Sequence, residues 1–214
     1  MKERPILFSG PMVRAILEGR KTQTRRIVKA VQGFHCPDEM WPAAISDVVE
    51  WREQEGLWFG LMGYSTLCTA SSPYGKPGDR LWVRETFAMA QPGSLPVYRA
   101  DAIDKNGDAW PSIFPGDPDN EVRWTPSIHM PRSASRILLE ITGIRVERLQ
   151  DISEEDAQEE GSIEWMHHMK MPPPPICSDT GRIAFTHLWE SINGTGSWDA
   201  NLWVWVVDFK KVAA

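Results

Sequence analysis

Cysteine is scarce in this chain, and its spacing forms no recognisable pattern. Cys36, Cys68 and Cys177 lie far apart, and no CxxC pair occurs. An odd and widely spaced set is not a disulfide framework and is typical of a reducing compartment. The pairs His35–Cys36 and His167–His168 lack the spacing of a zinc site. We therefore expect neither a metal nor another cofactor.

Long apolar runs are also missing. No stretch approaches the roughly 20 apolar residues that are needed to cross a bilayer. The segment from Met1 to Pro5 is short and charged, and it does not have the form of a signal peptide. The sequence thus predicts no membrane partner and a cytoplasmic location.

The chain has no excess of positive charge, since its net charge is −6. A protein that binds long nucleic acids over its whole surface usually carries a basic balance. Any nucleic-acid site must therefore be local.

Proline, glycine and tryptophan are abundant instead. Seventeen prolines and sixteen glycines in 214 residues indicate many turns, and 42% hydrophobic residues suffice for a proper core. We expect one domain over residues 1–214 with irregular insertions at about 30–76 and 91–122. The first insertion is rich in tryptophan and should pack on the rest of the molecule. Core packing is the expected role of most of the eleven tryptophans.

The local patterns predict more strands than helices. Gly143 is expected to form a bulge in the longest strand, Ser9 and Ser153 are expected N-caps, and Pro172–Pro175 should be a rigid spacer. The last strand should close the sheet. Strands are predicted over 4–8, 20–28, 45–53, 81–87, 97–100, 135–149 and 202–209, and helices over 10–18, 152–160 and 183–192, the last with Ile183, Leu188, Trp189 and Ile192 buried. This α+β pattern favours a small mixed β-barrel with flanking helices.

The segment from Arg20 to Arg26 is the main candidate site. Five basic residues and no acidic residue lie between Arg20 and Lys29. On a strand, Thr22, Thr24 and Arg26 point to one side, with Lys21, Gln23 and Arg25 on the other. Cations beside hydroxyl groups suit a phosphate or a polarised carbonyl. An exposed basic strand edge is the alternative interpretation.

Three further segments carry charged residues that could meet a ligand. Arg84 and Glu85 either form an ion pair on the strand surface or reach into a pocket. His129, Arg132 and Arg136 precede the longest strand and could contact an anion or a base edge, although a lone histidine is more often structural. The seven carboxylates between Asp151 and Glu164 are mostly a solvated face, with one available as a general base or an ion-pair partner.

Four blocks of the chain, in this order, resemble the ASCH family, and most closely its long branch encoded by phages and prophages. They are Gly19-Arg20-Lys21-Thr22-Gln23-Thr24-Arg25-Arg26, Pro77-Gly78-Asp79-Arg80-Leu81-Trp82-Val83-Arg84-Glu85, Pro126-Ser127-Ile128-His129-Met130-Pro131-Arg132 and Trp203-Val204-Trp205-Val206. The resemblance covers about residues 4–210 without the two insertions. It implies a PUA-like barrel and a cleft suited to RNA or modified nucleosides.

One small type of ASCH protein is an amidohydrolase that removes the acetyl group from N-acetylcytidine. The resemblance to its Gly-Arg-Lys-Thr-x-Thr-x-Arg block implies catalytic roles for Lys21 and Thr24, with Glu160 as the carboxylate. This chain departs from that type at Arg25, where the enzyme has an apolar residue, and in the insertion after Ala30. Other relatives have been linked to RNA cleavage.

Three functions remain open at this point. The first is a module that binds RNA or a nucleotide in a basic cleft, through Arg20, Lys21, Arg25 and Arg26. The second is an amidohydrolase in which Lys21 activates Thr24 and Glu160 carries or orients a proton. Ribonuclease activity or a phage-assembly interaction through the tryptophan-rich insertion is a further alternative.

Overall fold

A computed structural model describes residues 1–28, 50–54, 57–62, 65–89, 95–102, 123–170 and 179–212. Most of the first half of the tryptophan-rich insertion, most of the second insertion and the Pro172–Pro175 segment lie outside these ranges. So do His35, Cys36 and Cys177. Predictions that concern those residues are not addressed by the fold described below.

Five strands form the central sheet, in the order β1-β6-β9-β10-β2. Strand β1 pairs with β6 in parallel, and the other pairs are antiparallel. Their bounds are β1 Glu3–Leu7, β2 Gln23–Ile27, β6 Arg80–Arg84, β9 Leu138–Arg148 and β10 Trp203–Val212. The predicted strands over 4–8, 135–149 and 202–209 are thereby confirmed. The prediction that the last strand closes the sheet is wrong, because β10 lies in its interior between β9 and β2.

Two smaller sheets accompany the central one. The three-stranded sheet β3-β4-β5 is antiparallel, and β7 and β8 form a two-stranded ribbon. Their bounds are β3 Glu50–Gln54, β4 Leu57–Met62, β5 Ser65–Ser71, β7 Phe87–Met89 and β8 Pro96–Tyr98. The predicted strand over 81–87 is therefore divided, since the chain leaves β6 at Glu85 and enters β7 at Phe87.

Four α-helices lie within the described ranges: α1 Gly10–Leu17, α2 Glu154–Glu159, α3 Ser162–His168 and α4 Thr180–Asn193. The side chain of Ser153 caps α2 by accepting a hydrogen bond of 3.0 Å from the Asp156 N–H, as predicted. Ser9 occupies the N-cap of α1 but makes no side-chain cap bond. Helix α3 was not predicted.

The α+β class is confirmed, but the described strands do not close into a barrel. Strands β1 and β2 occupy the two edges of the central sheet and are not paired with each other in the described part of the chain. Two residues join β1 to α1 and five join α1 to β2, so the helix stands between the two edges. The Arg26 guanidinium donates a hydrogen bond of 2.8 Å to the Leu7 carbonyl, so a side chain of β2 bridges the gap to β1.

The predicted bulge at Gly143 is observed in β9. Gly143 pairs with Asp208 whereas Ile141 pairs with Phe209, so one extra residue lies on the β9 side. A Cβ atom on Gly143 would lie 2.7 Å from the Asp208 carboxylate. A side chain at this position would therefore displace the Asp208 carboxylate, which pairs with Arg145.

Tryptophans join the three-stranded sheet to the central sheet. Trp51 meets Trp203 edge-on at 6.4 Å between ring centroids, and Trp58 meets Trp205 in the same way at 5.8 Å. Among the described residues, the buried tryptophans are Trp51, Trp82, Trp165, Trp189, Trp203 and Trp205. The tryptophan-rich insertion therefore packs on the main sheet through its described part, as expected.

Helix α4 covers one side of the core. Leu188 and Trp189 are buried as predicted, together with Ala184 and Phe185. Ile192 is 54% exposed, so its predicted burial is wrong. Ile192 lies in the last turn of the helix and lines the cavity described below, and Ile183, also predicted to be buried, is only partly buried.

Candidate functional site

A cavity of about 520 Å³ lies between β2 and α4, with contributions from α1, β10 and the segment after β5. Its polar lining includes Thr24, Arg25, Arg26, Tyr74 and Glu160. Aromatic rings form much of the rest, from Phe185, Trp189 and Trp205. Both the size and the mixture of aromatic walls with a few polar groups are typical of sites for small molecules.

The turn after α1 places Lys21 beneath this cavity. The N–H groups of Arg20 and Lys21 both donate to the Ala15 carbonyl, at 2.9 and 3.1 Å, and Gly19 adopts a φ of 77°. This left-handed C-terminal turn carries the chain back over the end of the helix. The Lys21 side chain is consequently buried, with 0% of it exposed.

Lys21 and Glu160 form a buried ion pair across 139 positions of the sequence. The Lys21 Nζ lies 2.6 Å from Glu160 Oε2 and 2.8 Å from the Glu160 carbonyl oxygen. The ammonium also lies 5.8 Å from the centre of the Phe8 ring. Burial lowers the pKa of Lys21, and the negative charge of Glu160 opposes this effect without cancelling it.

Two of the three residues with predicted catalytic roles, Thr24 and Glu160, line the same cavity, and the third, Lys21, contacts Glu160 without being part of the lining. Thr24 is 1% exposed and lines the cavity, as does Glu160, and Glu160 holds Lys21. Thr24 belongs to β2, whereas Glu160 follows α2 directly. The site thus depends on the packing of α2 against β2.

Arg25 is also buried, and carboxylates surround its guanidinium. Its nitrogens lie 2.6 Å from Asp156, 3.3 Å from Glu147 and 3.5 Å from Glu160. Burial of Asp156 opposes its ionisation, but hydrogen bonds from Gln23 and Arg25 lower the pKa of this carboxyl group overall. Most of the charge of Arg25 is therefore balanced within the protein.

Arg20 and Thr22, which were predicted to bind a ligand, contact acidic residues outside the cavity. Arg20 pairs with Glu18 and with Glu164, the latter at 3.2 Å. The Thr22 hydroxyl donates to Glu159 at 2.8 Å. Arg20 is thus neutralised by carboxylates that follow α1 and lie on α3, and Thr22 is bound to the last residue of α2.

The environment of Arg26 differs from those of Arg20 and Arg25. Arg26 lines the cavity, stacks on Phe8 at 5.4 Å and donates to the Leu7 carbonyl. No carboxylate lies within ion-pair distance of it among the residues that the structure places. Tyr74 lines the same cavity, and burial raises its pKa while the Arg26 charge opposes the rise.

Two of the other predicted binding residues, Glu85 and Arg136, belong to a second cluster away from the cavity lining. Arg136 makes two bonds to Glu85, at 2.9 and 3.0 Å, and two to Asp101, and it stacks on Tyr98 at 3.9 Å. Burial raises the pKa of Glu85, and Arg136 opposes the rise. This clamp fastens the β7–β8 ribbon to the start of β9.

Three more predicted binding residues also lie outside the cavity lining. Arg84 stacks on Trp82 at 4.6 Å and does not form the expected pair with Glu85. His129 is exposed, and Arg132 pairs with Glu3 at 2.8 Å on the surface. The predicted binding residues are therefore not gathered at one place in the fold.

Sequence reasoning missed the aromatic wall of the cavity. Phe185 and Tyr74 were not proposed as site residues, and Trp189 was assigned only to a buried helix face. The apolar spacing along α4 was visible, but it does not distinguish a core position from a cavity wall. Two buried donors in this wall, Trp189 Nε1 and Arg25 Nε, have no hydrogen-bond partner in the part of the chain described.

No group of three His, Cys, Asp or Glu side chains is arranged to hold a metal ion within the described ranges. Over the same ranges, no helix is both long enough and apolar enough to cross a membrane.

No protein-family model, curated protein or solved structure matches this chain. The resemblance to the ASCH family therefore rests on the four sequence blocks quoted above.

Proposed function

We propose that the cavity binds a small molecule with a nucleobase and that Thr24, Lys21 and Glu160 hydrolyse an acyl amide on that base. The observation that carries this proposal is the buried 2.6 Å contact between Lys21 and Glu160, beside a cavity that Thr24 and Glu160 line. The resemblance to the acetylcytidine amidohydrolases assigns catalytic roles to the same three residues.

An ASCH-type, PUA-like origin of the fold is part of the proposal. Three of the four resembling blocks contribute strands to one sheet, namely β2, β6 and β10. The first block also forms the turn that buries Lys21. This clustering around one sheet supports a common site.

The volume and lining favour a small ligand over a long polyanion. A cavity of about 520 Å³ is suited to a ligand of nucleoside size. The rings of Phe185, Trp189 and Trp205 provide surfaces on which a planar base can stack. Carboxylates already balance Lys21, Arg25 and Arg20, so little of the basic segment is available to a nucleic-acid backbone.

The chemical step uses the Thr24 hydroxyl as the nucleophile. Its oxygen attacks the acyl carbon, its proton passes to the neutral amine of Lys21, and the C–N bond breaks as that proton is delivered to the leaving amine. Water then cleaves the acyl ester on Thr24, which releases a carboxylic acid and restores the hydroxyl. Glu160 positions Lys21 throughout.

The proposal is tested by following conversion of N4-acetylcytidine to cytidine by chromatography. Thr24→Val keeps the shape of the side chain but removes its hydroxyl, and we expect turnover to fall by at least about a hundredfold. Thr186→Val is the control, because the Thr186 hydroxyl only donates to the Arg182 carbonyl within α4. Absence of cytidine with the native chain, or equal turnover in Thr24→Val, would refute hydrolysis.

The same assay has an expected pH dependence. Lys21 must be neutral to accept a proton, so turnover rises with pH through its pKa. Because burial lowers the pKa of Lys21, the rise should lie below 10.5, the ordinary value for lysine. Rates measured from pH 5 to 10 with the same substrate check this, and a rise centred on the ordinary lysine value would contradict it.

A second candidate function is binding without hydrolysis, as in an RNA- or nucleotide-binding module. The contact between Arg25 and Glu160 at 3.5 Å favours it, because the amidohydrolase type has an apolar residue at the position of Arg25. A second cation on Glu160 competes with Lys21 for the carboxylate. Saturable binding of cytidine or its nucleotides without turnover of N4-acetylcytidine would select this function.

A further inference from the structure

The cations around the cavity differ in how far their charge is already balanced. Lys21 is paired with Glu160, and Arg25 lies against three carboxylates. Arg20 is paired with Glu18 and Glu164 and is not part of the cavity lining. Arg26 lines the cavity without a carboxylate within 4 Å in the described ranges, so it alone among these four brings an unbalanced positive charge to the ligand.

Arg26 is held in place by groups that do not neutralise it. One terminal nitrogen donates to the Leu7 carbonyl at 2.8 Å, and the guanidinium carbon lies 5.4 Å from the centre of the Phe8 ring. A guanidinium has five N–H donors, so donors remain for a second partner. A positioned arginine with spare donors is well suited to a phosphate group.

Tyr74 adds a second polar group to the same lining. Tyr74 lines the cavity together with Arg26, and its hydroxyl is protonated at neutral pH because burial raises its pKa above the ordinary value of 10.0. The backbone N–H of Tyr74 donates to the Ser72 hydroxyl at 3.2 Å, which helps to fix this segment. A protonated phenol can donate a hydrogen bond to an anion beside a guanidinium.

We propose that Arg26, together with Tyr74, forms an anion subsite of the cavity and that the ligand is a nucleoside monophosphate rather than an uncharged nucleoside. This assignment rests on the proposed nucleobase site and narrows its ligand class. The same phosphate chemistry is present in the backbone of nucleic acids. A mononucleotide is favoured because the cavity has a small volume and the chain carries a net charge of −6.

The test compares the dissociation constants of cytidine and cytidine 5′-monophosphate by calorimetry with the full-length chain. We expect the native protein to bind the monophosphate about tenfold to a hundredfold more tightly, as one charged hydrogen-bonding contact provides. Arg26→Met should abolish this preference, so that the dissociation constants of cytidine and the monophosphate differ by less than about twofold in the variant. The preference should also decrease as salt is added.

Arg148→Met is the matched control. Arg148 stacks on Trp203 at 4.3 Å and donates to the Asn201 carbonyl at 3.2 Å, which are the same two kinds of contact that Arg26 makes, but it does not line the cavity. This variant should keep the native preference for the monophosphate. A loss equal to that of Arg26→Met would overturn the assignment.

Two further ligands show whether the anion subsite, the nucleobase site or the mononucleotide assignment is wrong. Pyrophosphate binding that depends on Arg26, without binding of cytidine, would support the anion subsite and reject the nucleobase site of the proposed function. Tighter binding of a cytidine tetranucleotide than of the monophosphate would overturn the mononucleotide assignment. Equal affinities for cytidine and its monophosphate, or a preference that survives in Arg26→Met, would overturn the subsite itself.

Discussion

At the scale of single residues, stability alone does not explain the buried ion pair of Lys21 and Glu160. Removing two charges from water costs several kcal/mol for each ion, and their attraction compensates for this only when the geometry is good. A well-packed apolar pair would be an equal or better source of stability. Glu160 also lines the cavity, and the proposed hydrolysis would use the charged pair in a way that an apolar pair could not serve.

The pair should show strong energetic coupling. Glu160→Gln leaves the Lys21 ammonium buried without a counter-charge, and we expect a loss of about 3–5 kcal/mol in the free energy of unfolding. The double variant Lys21→Met with Glu160→Gln removes the stranded charge and should recover a large part of that loss. Urea unfolding at pH 7 measures both values.

An exposed ion pair provides the control for this comparison of single and double variants. Arg132 and Glu3 lie 2.8 Å apart with 45% and 38% of their side chains exposed. Glu3→Gln should leave the unfolding midpoint nearly unchanged, because solvent screens such pairs. If Glu160→Gln is equally harmless, the buried pair is not formed in solution.

At the scale of elements, the junction between α2 and α3 positions Glu160. Gly161 adopts a φ of 73°, which lets the chain turn immediately after α2. The single proton of the Ser162 hydroxyl is shared between the Ala157 and Gly181 carbonyls, at 2.8 and 3.2 Å, which ties this turn to α4. The carboxylate of Glu160 therefore reaches Lys21 only when this junction is intact.

Gly161→Ala should be more damaging than the same change at Gly19. Both glycines have a left-handed conformation, which costs alanine roughly 1–2 kcal/mol. A Cβ on Gly161 would also lie 3.3 Å from the Ala15 Cβ, whereas nothing lies within 4 Å of one on Gly19. Thermal unfolding and the N4-acetylcytidine assay should both show a larger loss for Gly161→Ala. Equal losses would mean that close packing at the junction is unimportant.

At the scale of the whole molecule, the three-stranded sheet and the central sheet share one core. Trp51 and Ala70 belong to the same cluster of buried side chains as Trp203 and Trp205. Trp58 packs edge-on against Trp205, which is itself a wall of the cavity. The three-stranded sheet thus packs, through Trp58, against a residue of the cavity wall.

Trp51→Ala should therefore destabilise the entire chain. Removing a buried tryptophan side chain typically costs about 3–5 kcal/mol through lost contacts and a residual cavity. Because the two sheets share a core, we expect one unfolding transition shifted to lower urea concentration, by both fluorescence and circular dichroism. Trp51→Phe should have a smaller effect. Two separate transitions, or an unchanged midpoint, would show that the sheets are energetically independent.

Predictions from the sequence were accurate where the interactions involved join neighbouring residues, and inaccurate where they join residues that are remote in the sequence. The helix after Ser153 and its stop at Gly161 were predictable, because a cap and a left-handed turn depend on neighbouring residues. The bulge at Gly143 had a local signal in the change of alternation. The interior place of β10 and the buried contacts of Arg25 had none, because their partners are remote in the sequence.

By itself, the sequence determined the local elements, the apolar positions and the concentration of positive charge between Arg20 and Arg26. Only the tertiary structure decided which of those charges remain available, since Lys21 and Arg25 find their carboxylates 139 and 131 positions away. Strand alternation and capping are short-range effects that the chain encodes directly. The balancing of buried charge depends on which elements pack together, and so does the separation of β1 from β2 that leaves the sheet open.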